Sequence, residues 1–362
     1  MKRIKLFDQF TSKKELSVVT KTLESHFWAS GSSSGSVETF EKSLMKYLKT
    51  KSCVSVNSGT AALHLALSLF DIKNKEVILP SLSFASTAHA IVYNGGIPKF
   101  IDINPETMCI DENLLENKIT NNTKMILPVH FGGTSCNMTK IKQICKNKNL
   151  FLIEDAAHAI GANHNKKKIG THGDLVCFSF HPTKNLPTPS GGAITINTKN
   201  YKKLTEKLLS RRWCGISKRK GFTYDVEELG WNYYMNQFSA VIGNEQLKTL
   251  DTQIKKRKYI AKRYSQEIKL SSKMNFDQNS AYHFYWICVK NRKTLMEKLS
   301  DNGIETGIHY NPIHKMSFYK NSKLRLPITE RVTKSIMSLP CHPNLTDNEI
   351  SYIIKCVNKF SL

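Results

Sequence analysis

From about residue 50 the chain alternates between two hydrophobic patterns. Short, nearly continuous apolar runs recur: CVSV (53–56), EVILP (76–80), IPKFIDI (97–103), KMILPVHF (124–131), LFLIEDA (150–156), DLVCFSF (174–180) and GGAITIN (191–197). Among them lie stretches of helical character, TAALHLALSLF (60–70), FASTAHAIVYNG (84–95) and IKQICKNKN (141–149). Runs that do not alternate apolar with polar suit strands buried on both faces, and helices between such strands make parallel connections. The pattern predicts an α/β domain with a largely parallel sheet, whose ligand lies at the carboxyl ends of the strands. Residues 1–50 read as helical and polar, with Phe40, Leu44, Tyr47 and Leu48 at amphipathic spacing. A long amphipathic helix is predicted over 236–268 (NQFSAVIGNEQLKTLDTQIKKRKYIAKRYSQEI), leading out of that domain. The remainder of the chain, with YHFYWICVK (282–290), LMEKLSDNGIE (295–305) and a helical stretch from Glu349 to Val357, fits a small α+β domain. The boundary falls near residue 250, giving domains 1–250 and 251–362.

Composition narrows this picture. With 362 residues, 40% hydrophobic and 23% charged, the chain has the make-up of a soluble globular protein with a large core. No apolar run approaches the roughly 18–20 residues of a membrane span. The opening stretch MKRIKLFDQFTSKKEL has basic residues but no apolar core, so a secretory leader is not expected. The nine cysteines are scattered without a CxxC pair, which argues against a zinc ribbon or a disulfide framework and fits a reducing cytoplasm. The net charge is 53 − 29 = +24. Three readings stand: a nucleic-acid surface, a composition biased toward lysine and asparagine, or attraction of a polyanionic small substrate. The lysines are dispersed and form no recognition-helix pattern or dense basic tail, so neither nucleic acid nor membrane is the expected partner.

Three segments carry candidate chemistry. NSGTAALHLAL (57–67) places a tight Ser58-Gly59-Thr60 turn between a strand and a helix. It is either a phosphate cradle of free N–H groups or an ordinary capped helix. FLIEDAAHAIGA (151–162) ends an apolar strand in Glu154-Asp155, where an acid serves as a metal ligand, a partner for a protonated ring nitrogen, or a cap. FSFHPTKNLPTPSGG (178–192) sets Lys184 among small, aromatic and turn-forming residues. There it is either an exposed loop lysine or an amine whose basicity burial lowers, making it nucleophilic toward aldehydes. A phosphate cradle, an acid and a lysine in successive βα connections are together what pyridoxal phosphate (PLP) requires.

These segments, with FWASGSSSGSVETFEKSLMKYL, PSLSFASTAHAIVYNGGIPKFIDI, LGWNYYMNQFSAVIGNEQL and SLPCHPNLTDNEI, resemble the DegT/DnrJ/EryC1/StrS family of PLP-dependent sugar aminotransferases over nearly the whole chain. The resemblance implies fold type I, the aspartate aminotransferase-like architecture. Lys184 would then bind PLP covalently and shuttle a proton, and Asp155 would pair with the pyridine nitrogen. Gly59 and Thr60 would hold the phosphate with the Ser179 hydroxyl, Phe84 would stack on the ring, and His158 would lie near the ring oxygen. Asn232 would reach the phosphate in a neighbouring subunit, which implies a homodimer with shared active sites. His309, Tyr310 and His314 would border the substrate. No metal is implied. The implied reaction takes an amine from L-glutamate, leaves pyridoxamine phosphate (PMP), and aminates a nucleotide-linked keto-deoxy sugar for amino-sugar and glycan biosynthesis.

Two motifs depart from the family. The usual NYRM reads Asn232-Tyr233-Tyr234-Met235, without the arginine, and the usual GDGG or GEGG reads Pro189-Ser190-Gly191-Gly192, without the acid. These changes leave room for a transaminase of a smaller phosphorylated ketone. Related sugar dehydratases place histidine where Lys184 stands, so the lysine counts against that alternative. A basic protein that binds nucleic acid without catalysis is the remaining one.

Overall fold

The computed structural model describes residues 3–321 and 323–361. Helices α1 (Lys13–Glu24) and α2 (Ser36–Leu48) come first. Strand β1 (Ser52–Val56) leads into α3 (Gly59–Ser68), β2 (Glu76–Pro80) into α4 (Ala85–Tyr93), and β3 (Ile97–Ile101) toward the short α5 (Leu115–Lys118). Then come β4 (Thr123–Ile126), α6 (Met138–Asn147) and β5 (Phe151–Asp155). A small hairpin of β6 (Asn163–His164) and β7 (Lys167–Lys168) precedes β8 (Leu175–Ser179), β9 (Gly192–Ile196) and α7 (Tyr201–Arg212). A second hairpin, β10 (Ile216–Lys220) and β11 (Thr223–Val226), leads to the long α8 (Gln237–Glu267). The C-terminal part holds β12 (Tyr285–Cys288), α9 (Arg292–Asp301), α10 (Pro327–Ser335), β13 (Ile336–Leu339) and α11 (Asp347–Phe360).

Seven strands form one sheet in the order β1-β9-β8-β5-β4-β2-β3. Strands β3, β2, β4, β5 and β8 pair in parallel. Strand β9 runs antiparallel to both β8 and β1, so β1 points the same way as the others. The largely parallel sheet read from the sequence is therefore present, and its strands are apolar on both sides for the expected reason. Val77 and Leu79 pack on one face with α3 and α4, while Ile78 packs on the other with α2, α6 and α8. The C-terminal part is built on the antiparallel pair β12–β13, flanked by helices.

Helix α8 runs unbroken through residue 250, so the boundary placed there falls inside one rigid element. Its first half packs on α2, where Phe40 lies against Gly243, and near its end Tyr264 donates to the Pro340 carbonyl at 2.9 Å. The residues ahead of α1 also join the C-terminal part: the Ile4 N–H donates to Gly303 O at 2.8 Å, and Ile4 O accepts from Glu305 N at 2.9 Å.

Beneath β1 a buried ion pair ties three elements together. Arg212, fully buried at the end of α7, donates to Glu41 Oε1 at 2.9 Å, to the Ser55 carbonyl at 2.9 Å and to the Gly31 carbonyl at 3.0 Å. The same Glu41 oxygen accepts from the Ser55 N–H at 2.7 Å. Removing one partner strands the other's charge in a dry site, which costs about 3–5 kcal/mol. Arg212→Met is accordingly expected to lose that much unfolding free energy in urea. A loss below about 1 kcal/mol would show that Glu41 finds water or another partner.

Candidate functional site

Because six strands share one direction, the loops after β1, β2, β5 and β8 meet at one edge of the sheet, around a cavity of about 400 Å³. The first wall is the β1–α3 turn. Ser58 caps α3, its Oγ accepting from the Ala61 N–H at 3.1 Å, while the N–H groups of Gly59 and Thr60 have no hydrogen-bond partner among the described residues. Such orphan N–H groups at a helix start, aligned with its dipole, favour an anion. Gly59 packs flush against β8: a Cβ there would lie 2.6 Å from Ser179 Cβ. That contact sets the Ser179 hydroxyl beside the helix start.

The second wall comes from β2 and β5. Asp155 ends β5, is only 4% exposed, and faces the cavity. Its carboxylate accepts from Thr87 Oγ1 at 2.7 Å and from the Ala157 N–H at 3.1 Å. Burial raises its pKa, opposed by Thr87, Ala157, Lys184 and His130. A carboxylate raised by desolvation gains most from a cation placed against it. Phe84, just ahead of α4, is 58% exposed and lines the cavity, where its ring can cover a planar ligand.

Lys184 lies in the loop after β8. The loop is fastened at several points: Lys184 N–H donates to His181 O at 2.8 Å, Thr188 N–H to Phe180 O at 2.8 Å, and Asn185 Nδ2 to Ala281 O at 2.9 Å. From the N-terminal segment, Gln9 Nε2 donates to Pro182 O at 2.9 Å. Gly192 is needed because its backbone lies against that of Ser58, where a Cβ would come within 2.5 Å of Ser58 O. The Ser190 hydroxyl donates to the Asn57 carbonyl, so the loop is tied to β1 without the acid that the family places there. Burial lowers the Lys184 pKa to about 8, with Asp155 pulling the other way.

His158, just past Asp155, is held neutral: burial pushes its pKa well down, and Lys184, His309 and His130 add to the shift. Its Nδ1 accepts from the Gly132 N–H at 3.4 Å, which assigns the ring proton to Nε2, and Nε2–H donates to Tyr310 Oη at 3.0 Å.

The structure thus brings Gly59, Thr60, Phe84, Asp155, His158, Ser179, Lys184 and Tyr310 to one cavity. His309 and His314 do not line it. His309 stacks on Phe284 at 4.5 Å and bonds Ser338 Oγ at 2.9 Å. His314 is fully buried between Ser81 Oγ at 2.6 Å and Glu330 at 3.2 Å. Asn232 is exposed outside the cavity, its backbone bridged to Trp213. Two neighbours were not read from the sequence. Thr87 is one turn along the α4 pattern, and His283 is hidden in a run that reads as a core strand, yet its Nε2 lies 3.5 Å from Lys184 Nζ.

An anion cradle, a buried acid, an exposed aromatic ring and a lysine of lowered basicity are the contacts a phosphorylated pyridine aldehyde needs, so these residues fit PLP. Comparison with known proteins points the same way. The model of the DegT/DnrJ/EryC1/StrS aminotransferase family matches residues 9–358. The chain is 33% identical to a GDP-perosamine synthase of Escherichia coli O157:H7 over 99% of each chain. It is 34% identical to a UDP-4-amino-4,6-dideoxy-N-acetyl-beta-L-altrosamine transaminase of Campylobacter jejuni, covering 94% of this chain and 92% of the relative. Among solved structures, NtdA of Bacillus subtilis with bound cofactor PMP superposes with a TM-score of 0.88 at 30% identity, over 96% of this chain and 81% of that one.

Gly59→Ala would drive a methyl group into Ser179 and spread the cradle. With a typical overpacking cost of about 1–3 kcal/mol, it is expected to weaken PLP uptake roughly tenfold or more, measured by titrating the cofactor-free protein. Wild-type affinity in the variant would mean that the helix start does not hold the phosphate.

Proposed function

The chain belongs to the DegT/DnrJ/EryC1/StrS aminotransferase family, and from that premise we propose that it transfers an amino group from L-glutamate to the keto carbon of a nucleotide-linked deoxy sugar in amino-sugar biosynthesis. It is a PLP-dependent aminotransferase. The observation that carries the reading is Lys184 and Asp155 facing one cavity whose wall is a helix start with free N–H groups.

Bound PLP supplies an aldehyde for the lysine amine and an electron sink for the carbon that loses its proton. The protein's own groups do the rest. Gly59 N–H, Thr60 N–H and Ser179 Oγ are positioned for the phosphate. Asp155, fixed by Thr87 and Ala157, is placed to keep the ring nitrogen protonated. Lys184 has a pKa of about 8, so a useful fraction is free base near neutral pH, able to condense with an aldehyde and, once displaced by the donor, to carry a proton between two carbons. The fraction falls tenfold for each pH unit below that value and saturates above it. His158, by donating to Tyr310, turns the tyrosine's own proton toward other acceptors at the cavity.

The acceptor class rests on the relatives, which are named for GDP- or UDP-linked amino sugars. The net charge of +24 suits a diphosphate arriving from solution. Asn232, exposed and away from its own cavity, suits contact with the cofactor of a second copy, so a homodimer with shared sites belongs to the proposal. So does a cytoplasmic location: all nine cysteines are free, and among the described residues no helix is long and apolar enough to cross a membrane.

Lys184→Ala is expected to fold normally and lose more than about a thousandfold in turnover with L-glutamate. Mixing it with an impaired Asn232→Ala variant tests the shared site. A mixed dimer has one site with both wild-type residues, so random exchange should restore about a quarter of wild-type activity. No recovery after exchange would place Asn232 outside the partner's site.

A further inference from the structure

His283 is a second histidine at the lysine, and its surroundings are unusual for a residue kept only for packing. It is 2% exposed, and its ring lies between that of Phe7 (5.2 Å, 19°) and that of His158 (4.6 Å, 30°), with Phe284 at 5.2 Å. Its backbone is fixed as well: the N–H donates to Gly132 O at 2.9 Å, and the carbonyl accepts from Arg257 Nη1 at 3.3 Å. Phenylalanine would fill this stack without burying two ring nitrogens. One of those nitrogens, Nδ1, is buried with no partner among the described residues. The other, Nε2, has one, the Lys184 amine at 3.5 Å.

The tautomer follows from this asymmetry. An orphaned buried N–H costs more than an orphaned lone pair, so the ring proton belongs on Nε2 rather than on the partnerless Nδ1. A second proton is disfavoured: burial first, then Lys184, His158, Arg257 and His309 push the His283 pKa well down. The other titratable groups facing the amine are Asp155, His158, His181, His309 and Tyr310, while Asp8 and Arg257 line with it a narrow space beneath the loop. Asp155 favours the ammonium, and its pull would be spent on a ring nitrogen once the cofactor is bound. Nε2–H pointing at Nζ can donate only to an uncharged amine, whose lone pair is free.

We propose that His283 is the positioning residue of the Lys184 amine, donating Nε2–H to its lone pair and so holding the displaced amine uncharged and at a fixed place behind the cavity. The inference rests on the reading that Lys184 is the reacting amine. It makes the Phe7 segment part of the site, because Phe7 forms the wall that keeps the imidazole in line.

Two measurements on the full chain, freed of cofactor, test it. Two-bond ¹H–¹⁵N correlation of the His283 ring should show the proton on Nε2, and a proton on Nδ1 overturns the proposal with no variant needed. The second is acetic anhydride labelling of Lys184 across pH, resolved by peptide mass spectrometry. His283→Phe keeps the stack but removes the donor, so its labelling midpoint should rise by about one unit, making labelling near pH 7 about tenfold slower at an unchanged high-pH plateau. His283→Gln, which returns a donor near Nε2, should stay within about threefold of wild type. A midpoint unchanged or lowered in folded His283→Phe overturns the proposal, and if that variant does not fold, the wild-type ring spectrum decides alone. If the wild-type chain takes up no PLP, the functional reading fails. If it takes up PLP and reacts with L-glutamate while the midpoints agree, only the role of His283 fails.

Discussion

The site depends on one constraint: six strands of a single sheet end on the same edge. The loops at the carboxyl ends of parallel strands gather on one edge of the sheet, where such folds bind their ligands. Ser58–Thr60, Phe84, Asp155 and Lys184 come from the loops after β1, β2, β5 and β8, far apart in sequence, and still face one cavity. Strand β9 is the exception in direction, and it has a use. By running back between β8 and β1, it carries Gly192, which lets the lysine loop lie against the Ser58 turn.

Dryness then sets the chemistry. Burial raises the Asp155 pKa and lowers that of Lys184, so each group is moved toward its neutral form and waits for a partner. An acid and an amine in this condition are poised for a ligand that brings a protonatable nitrogen to one and an aldehyde to the other. The imidazoles of His158, in the cavity wall, and His283, behind Lys184, are uncharged, adding directional hydrogen bonds without a competing charge. Elsewhere in the fold a buried charge is neutralised outright, as in the Arg212–Glu41 pair.

The parts of this arrangement that were legible in the sequence come from burial and spacing. Strands apolar on both faces announce a parallel sheet, and a lysine among Pro, Thr and Gly at a strand's end announces a loop with a purpose. The hairpin β10–β11 was not legible, because SKRK and TYDV carry no buried face, and Phe222 at its turn is fully exposed. The long helix was legible as one amphipathic stretch over 236–268, and α8 runs through residue 250, where the domain boundary was placed. His314, expected at the substrate, is instead held between Ser81 and Glu330 by a hydrogen bond to each, a tertiary choice that no local pattern encodes. His283 was missed for a related reason: inside YHFYWICVK its period is that of a core strand, and only the approach of the β8 loop gives it an amine to face.

Whether the Lys184 amine drives transamination is tested most directly by the visible spectrum of the purified protein, recorded before and after L-glutamate and then with a panel of nucleotide-linked keto sugars. If it does, the protein shows a band from lysine-bound PLP that glutamate converts to the PMP form and one keto sugar restores. A protein that shows no such band even after added PLP, or whose band glutamate leaves unchanged, would contradict that role for Lys184.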